Sequence, residues 1–167
     1  MIIYLIGMPG AGKTTIGKKI SKEIGYSFLD TDSEIEKIEK KSISLIFEEK
    51  GEKYFRDLEK KLVNEKLCYL KDTIVATGGG MPIYNDNLKE LKKSGVTIYL
   101  CKSLESLLKR KNLGKRPLLK NNIKKNLIEI YNKRKDIYNK ADYIIKEDDL
   151  DEKGVMLKLR EIINSEF

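Results

Sequence analysis

At 167 residues and 19.3 kDa, with 40% apolar and 36% charged residues, the chain has the hydrophobic content for one core. Its charge is too interspersed for a membrane-spanning, fibrous or disordered protein. The net charge of +8 comes from lysines scattered among 26 carboxylates, a solvated surface rather than a nucleic-acid footprint, so no nucleic-acid partner is expected. No histidine is present, which removes imidazole acid–base chemistry and argues against zinc, and Cys68 and Cys101 read as small apolar fillers in a reducing compartment.

The first apolar run is too short for a signal segment or membrane span and has no basic flank before it, so a cytoplasmic protein without a membrane partner is expected. It reads as a strand over Ile2 to Ile6. Next comes Gly7-Met-Pro-Gly-Ala-Gly-Lys-Thr14, then an amphipathic helix over Thr14 to Ile24. Strand, glycine-rich turn and helix are the context a Walker A loop requires. Its backbone N–H groups curl around phosphate, and the helix N-terminus adds positive potential. Lys13 reaches the terminal phosphates and the Thr14 hydroxyl coordinates Mg²⁺. Gly10, Ala11, Gly12, Lys13, Thr14 and Thr15 are therefore the expected nucleotide-binding residues.

A short strand over Ser27 to Leu29 is followed by Asp30 and Asp32. In extended backbone, residues two apart face the same side, so both carboxylates would address one site, one near hydrated Mg²⁺ and one near an acceptor hydroxyl. The same letters also carry a capping signal: Thr31 and Glu34 have capping-box spacing, and Asp32 fits the cap of a helix over Ser33 to Lys40. The residues alone leave both readings open. Helices over Ser42 to Lys50 and Glu52 to Leu70 come next, where Glu52 and Arg56 have the spacing of an ordinary i, i+4 surface pair.

The third strand, Thr73 to Ala76, runs into Gly78-Gly79-Gly80. With Gly7, Gly10 and Gly12 these make up half of the twelve glycines, a concentration expected where backbone approaches a ligand closely. A helix over Asp86 to Ser94, a strand over Val96 to Leu100 and a helix over Ser103 to Lys111 follow. Asn112 to Asn122 mixes glycine, proline and asparagine with basic residues and reads as a mobile loop or as an ordinary helix connection.

In the helix over Asn122 to Lys140, Ile123, Leu127, Ile130, Tyr131, Ile137, Tyr138 and Ala141 form one face, and Arg134 falls near its middle. A cation aimed at the protein body needs an anion, either an internal carboxylate or a substrate held bidentately. A strand over Tyr143 to Ile145 and a helix over Asp151 to Asn164 close the chain. Strands alternating with helices imply a mainly parallel sheet covered on both faces, with ligands at the strands' carboxyl ends. Neither a repeat nor a linker divides the sequence, so one domain over 1–167 is expected.

Six segments appear in order: GMPGAGKTT from Gly7, FLDTD ending at Asp32, GEKYFR ending at Arg56, ATGGG ending at Gly80, RPLL from Arg116 and RKDIY from Arg134. Along nearly the whole chain this set resembles the shikimate kinase family, P-loop enzymes with the nucleoside-monophosphate-kinase fold. The resemblance implies three α/β/α layers around five parallel strands in the order 2-3-1-4-5. It implies transfer of the ATP γ-phosphoryl group to the 3-hydroxyl of shikimate, a step of aromatic amino acid biosynthesis.

By the same resemblance, Lys13 and Arg116 act on phosphates, Thr14 holds Mg²⁺ with Asp30 a candidate through a water, and Asp32 meets the acceptor hydroxyls. Arg56 and Arg134 take the substrate carboxylate, and Gly79, flanked by Gly78 and Gly80, offers backbone N–H. Lys13, Asp32 and Arg116 form the catalytic set, with Arg116 on a lid at about 112–122 that closes to exclude water. The family's adenine-packing arginine corresponds only approximately to Arg110, which reads equally as a solvated helix end. ATP and shikimate are the expected partners of a monomer. A kinase for another small polyol acid such as gluconate fits the same residues, because two arginines and an aspartate define a carboxylate and a hydroxyl but not a ring. From another class, a P-loop regulator that binds nucleic acid through the +8 charge would show steeply salt-sensitive binding.

Overall fold

The computed structural model describes residues 1–110, 117–119 and 121–166. Strands β1 (Ile2–Ile6), β2 (Ser27–Asp30), β3 (Thr73–Ala76), β4 (Val96–Cys101) and β5 (Tyr143–Lys146) form one parallel sheet in the order β2-β3-β1-β4-β5. All five residues of the central β1 are buried. A strand covered on both faces has no solvated side, which is why its sequence is an unbroken apolar run. Leu5 pairs with Ala76 on one side and Ile98 on the other, so the carboxyl ends of three adjacent strands emerge close together.

Alternate residues of the strands serve two separate cores. Ile3, Leu5, Ile74, Ile98 and Leu100 pack against α1 (Lys13–Ile24) and α7 (Glu152–Ser165) through Ile16, Ile20, Val155, Leu159 and Ile163. On the opposite face, Ile2, Tyr4, Ile6, Val75 and Tyr99 meet α3 (Ile43–Glu65), α4 (Asn87–Ser94) and α6 (Ile123–Tyr138) through Leu62, Val63, Leu91, Leu127 and Tyr138. Each such side chain contributes about 1.5–3 kcal/mol on burial, so these two interfaces hold the layers together. Two further helices, α2 (Thr31–Glu39) and α5 (Leu104–Leu108), follow the carboxyl ends of β2 and β4.

The strands and most helices match the sequence expectations to within a residue or two, with three departures. The helices expected over Ser42 to Lys50 and Glu52 to Leu70 are one element, α3, broken at Gly51 with φ 79° and ψ 173°. That helix stops at Glu65, and Leu67–Tyr69 forms a 3₁₀ turn whose Leu67 carbonyl accepts a hydrogen bond from the Tyr4 hydroxyl at 3.2 Å.

The second departure concerns α2, which begins at Thr31 rather than Ser33. Asp30 is its cap, accepting from the backbone N–H of Asp32 at 3.1 Å and Ser33 at 3.2 Å. Asp32 is therefore neither the cap nor part of an extended segment; it stands in the first helical turn. In the third, α5 ends at Leu108 rather than reaching Lys111. Of the expected loop over 112–122, residues 112–116 and 120 lie outside the described residues, Arg116 among them; Pro117–Leu119 forms a 3₁₀ turn with Leu119 buried in the core. Among the described residues no helix is long and apolar enough to cross a membrane.

Candidate active site

The loop after β1 turns through Gly10 (φ 85°) and Gly12 (φ 91°), a left-handed backbone that glycine adopts without penalty. Gly12 precedes α1 and has no side chain with which to cap it, so the first-turn N–H groups are not taken up by a cap, the arrangement that suits an anion. Lys13 is buried and donates from Nζ to the carbonyls of Gly7 at 2.8 Å and Met8 at 2.9 Å, so it braces the loop it is meant to serve. The Thr14 hydroxyl donates to Asp30 Oδ2 at 2.6 Å while Oδ1 of the same carboxylate caps α2. Two hard oxygen donors side by side at the helix start fit Mg²⁺, which takes few protein ligands and keeps its waters.

Beside this loop lies a cavity of about 360 Å³, bounded by α2, α3, the Gly78–Gly80 loop, Pro117–Leu119 and α6. Asp32, Arg56, Gly78, Gly79, Gly80 and Arg134, predicted from widely separated segments, all line it, and Pro9 brings the phosphate loop to its edge. The residues directly after Arg116 also line it.

Arg56 is only 6% exposed, so its pairing with Glu52 is not the surface contact its spacing suggests. Glu52 Oε1 accepts from Nε at 3.2 Å and Nη2 at 3.0 Å, Glu59 Oε2 accepts from Nη1 at 2.7 Å, and the Tyr84 ring lies 4.4 Å from Cζ. Arg134 is 3% exposed and reaches the Gly79 backbone, while Tyr138, one helical turn further on, donates from its hydroxyl to the Gly79 carbonyl at 2.6 Å. Burial pushes the Tyr138 hydroxyl up to about 12, against the pull of Arg134.

Each glycine of the triplet abuts a charged side chain of the cavity. A Cβ on Gly78 would lie 2.4 Å from Asp32 Oδ1, one on Gly79 3.2 Å from Arg134 Nη1, and one on Gly80 2.3 Å from Arg56 Nη1. The run of glycines reads from sequence as room for a ligand; in the fold it is first of all room for the side chains that would hold one.

Sequence reasoning missed Glu59. It is fully buried, and its Oε1 has no hydrogen-bond partner among the described residues. Burial raises its carboxyl to about 7; Arg56 pulls it down, Asp32 pushes it up and Arg134 pulls it down. The signal was present: Glu59 shares the inner face of α3 with Phe55, Leu62 and Val63, the argument that singles out Arg134 on α6.

On the other side of the phosphate loop, a cavity of about 220 Å³ is lined by Ala11, Gly12, Thr15, Lys102, Arg110 and Glu147, among others. Arg110 thus faces a space next to the loop. Lys102 and Glu147, which follow the ends of β4 and β5, form a partly buried ion pair at 3.2 Å and were not predicted. Burial raises the Glu147 carboxyl, opposed by Lys102, Arg110 and Lys13.

A family model described as shikimate kinase matches residues 9–164. The shikimate kinase of Clostridium botulinum (strain ATCC 19397 / Type A) is 51% identical over 146 residues, covering 86% of this chain and 85% of that one. That of Persephonella marina is 46% identical over 141 residues, covering 84% and 85%. Among solved structures, the shikimate kinase of Acinetobacter baumannii in complex with shikimate superposes with a TM-score of 0.91 at 36% identity, over 99% of this chain and 93% of that one. Similarity of this extent, in sequence and in backbone, makes the chain a member of the shikimate kinase family.

Proposed function

We propose that the chain transfers the γ-phosphoryl group of ATP to the 3-hydroxyl of shikimate, giving shikimate 3-phosphate. The observation that carries this reading is the convergence of Asp32, Arg56 and Arg134 on one cavity at the edge of the phosphate loop. Two guanidinium groups suit a carboxylate, which each binds through paired N–H donors, and Asp32 suits a hydroxyl. Family membership gives the ring that carries them.

Phosphoryl transfer asks a protein chiefly for positioning and for positive charge around the γ-oxygens. Lys13 holds the phosphates together with the backbone of Gly10, Ala11 and Gly12, with Thr15 further along the first turn of α1. The base of ATP enters the cavity beside Thr15 and Arg110. Asp32 orients the acceptor hydroxyl and receives its proton. Arg56 and Arg134 hold the carboxylate, and the N–H groups of the Gly78–Gly80 loop face the ring. Thr14, with Asp30 through a water, would hold Mg²⁺, which supplies further charge neutralisation. Arg116 belongs to this reading on sequence alone, as the cation of a lid at about 112–122 that closes over the phosphates and excludes water. The same reading takes 1–167 as a single domain acting as a cytoplasmic monomer.

Coupled measurement of ADP release tests it. Turnover should require Mg²⁺ and rise strongly with shikimate, with gluconate as the competing acceptor. ATP hydrolysis indifferent to shikimate, or stronger stimulation by gluconate, refutes the assignment.

A further inference from the structure

The acceptor cavity contains a compensated set of charges. Arg56 and Arg134 contribute two positive charges, and Asp32 and ionised Glu59 two negative ones. Glu52 also contacts Arg56 but is half exposed and screened by water. A substrate carboxylate docking on the arginines, as the proposed function requires, adds a negative charge where Arg56, Glu59 and Arg134 are almost shut off from water. A buried anion without compensation is costly, and the group least able to stay ionised beside it responds by binding a proton.

Glu59 is that group. Its Oε2 is committed to Arg56 at 2.7 Å, whereas Oε1 is buried, without a hydrogen-bond partner among the described residues, and turned toward Gly78 on the side where Asp32 lies. We propose that Glu59 is a positioning residue that takes up a proton when the substrate carboxylate binds, freeing the charge of Arg56 for the substrate while still holding its guanidinium by a hydrogen bond. No other bond is made or broken; the proton comes from buffer and returns when the product leaves.

The groups facing Glu59 set the direction. Asp32 approaches from α2, Arg56 from α3 itself, and Arg134 and Tyr138 from α6, while the Gly78–Gly80 loop brings no titratable side chain. Burial, the largest influence, already raises the carboxyl to about 7, so Glu59 is partly ionised at neutral pH and a further anion moves it upward. Because binding then consumes a proton, affinity is greatest below about pH 7 and falls above it, by up to tenfold per pH unit. A free carboxylic acid substrate is fully ionised throughout that range and contributes no slope.

Isothermal calorimetry of shikimate binding to the full chain at pH 7.5, in phosphate, HEPES and Tris, reads the proton directly from the dependence of heat on buffer. The wild type should take up about half to one proton per shikimate. Glu59→Gln, which keeps the shape and cannot titrate, should take up almost none, and its affinity should be flat from pH 6.5 to 8.5. Binding heat with no buffer dependence in the wild type overturns the proposal and leaves the proposed function standing; no binding heat at all overturns both. Undiminished uptake in Glu59→Gln assigns the proton to another group and also overturns it. Even if the variant folds poorly, heat without buffer dependence in the wild type still overturns the proposal.

Discussion

Replacing Gly80 by alanine puts a methyl group where the Arg56 guanidinium lies. The new Cβ would be 2.3 Å from Nη1, 2.5 Å from Cζ and 2.6 Å from Nη2, whereas ordinary contact begins at 3.4 Å. The tip of a long side chain usually swings aside at little cost. This one is held by Glu52 on two nitrogens, by Glu59 on a third and by the Tyr84 ring, inside a buried wall. A retreat of about 1 Å must stretch hydrogen bonds to charged groups that contribute about 1.5–3 kcal/mol each, leaving Glu59 less well compensated.

Two consequences follow for Gly80→Ala. Stability should fall by about 1–3 kcal/mol, measured by urea unfolding. The kcat/KM for shikimate should fall about a hundredfold, because misplacing a positioning group by about 1 Å costs that much, while KM for ATP changes little. Gly79→Ala is the internal control: its Cβ would meet Pro9 at 3.0 Å and Arg134 at 3.2 Å, so its neighbours need yield only slightly and the loss should be clearly smaller. Wild-type shikimate kinetics in Gly80→Ala, or an equal loss at Gly79, would refute the view that the triplet makes room for the arginines.

Arg134→Ala should weaken shikimate binding by about 30-fold to several thousandfold with ATP affinity nearly unchanged, and Arg134→Lys should recover only part, having the charge without the planar fork. An Ala variant that still prefers shikimate over its methyl ester as strongly as the wild type would place the carboxylate elsewhere. Arg116→Ala should lower kcat by about a hundredfold or more while shikimate affinity in the absence of ATP stays close to wild type; equal losses in both would move Arg116 into the acceptor site. Glu59 keeps its proton to about pH 7 in the folded chain but loses it near pH 4.5 when unfolded, so stability should fall as pH rises through that window, by about 3 kcal/mol from this group. Urea midpoints from pH 4.5 to 8 should show that slope in the wild type and not in Glu59→Gln; identical slopes would mean the carboxyl is not held protonated.

What could be read from the chain follows from how local each signal is. The phosphate loop and its helix lie within one short stretch, and β1 is a continuous apolar run, so both are legible without knowing what packs on them. Asp30 and Asp32 stand out in the sequence, and Asp30 is extended as expected, but Asp32 is neither strand nor cap, the two readings that compete over the same letters. Asp30 takes the cap with one oxygen and Thr14 with the other, and the helix then starts at Thr31. Glu59 and Glu147 are easily passed over for a different reason: a glutamate in a lysine-rich helix, or in an acidic run after a strand, looks solvated, and only the helical period sets Glu59 on an inner face. Only the return of the Gly78–Gly80 loop onto α3, and of Lys102 onto the end of β5, buries them.

Strand order connects these pieces to the chemistry. In the sequence β2-β3-β1-β4-β5, chain progression reverses direction at β1, and the loop leaving it stands at the crevice where open parallel sheets bind ligands. Residues that follow β2 and β3, namely Asp32 and Gly78–Gly80, line the cavity on one side of that loop. Residues that follow β4 and β5, namely Lys102 and Glu147, line the cavity on the other. In-line phosphoryl transfer needs acceptor and leaving group on opposite sides of the moving phosphorus, and on the proposed function this topology supplies that arrangement before any side chain is chosen. The side chains then differentiate the two flanks. Toward β2 and β3 they gather arginines around a small space suited to an anion; toward β4 and β5 they pair Lys102 with Glu147 and leave Arg110 facing the space beside them. Changing the acceptor would therefore mean altering residues after β2 and β3 and on α3 and α6, with the phosphate loop left as it stands.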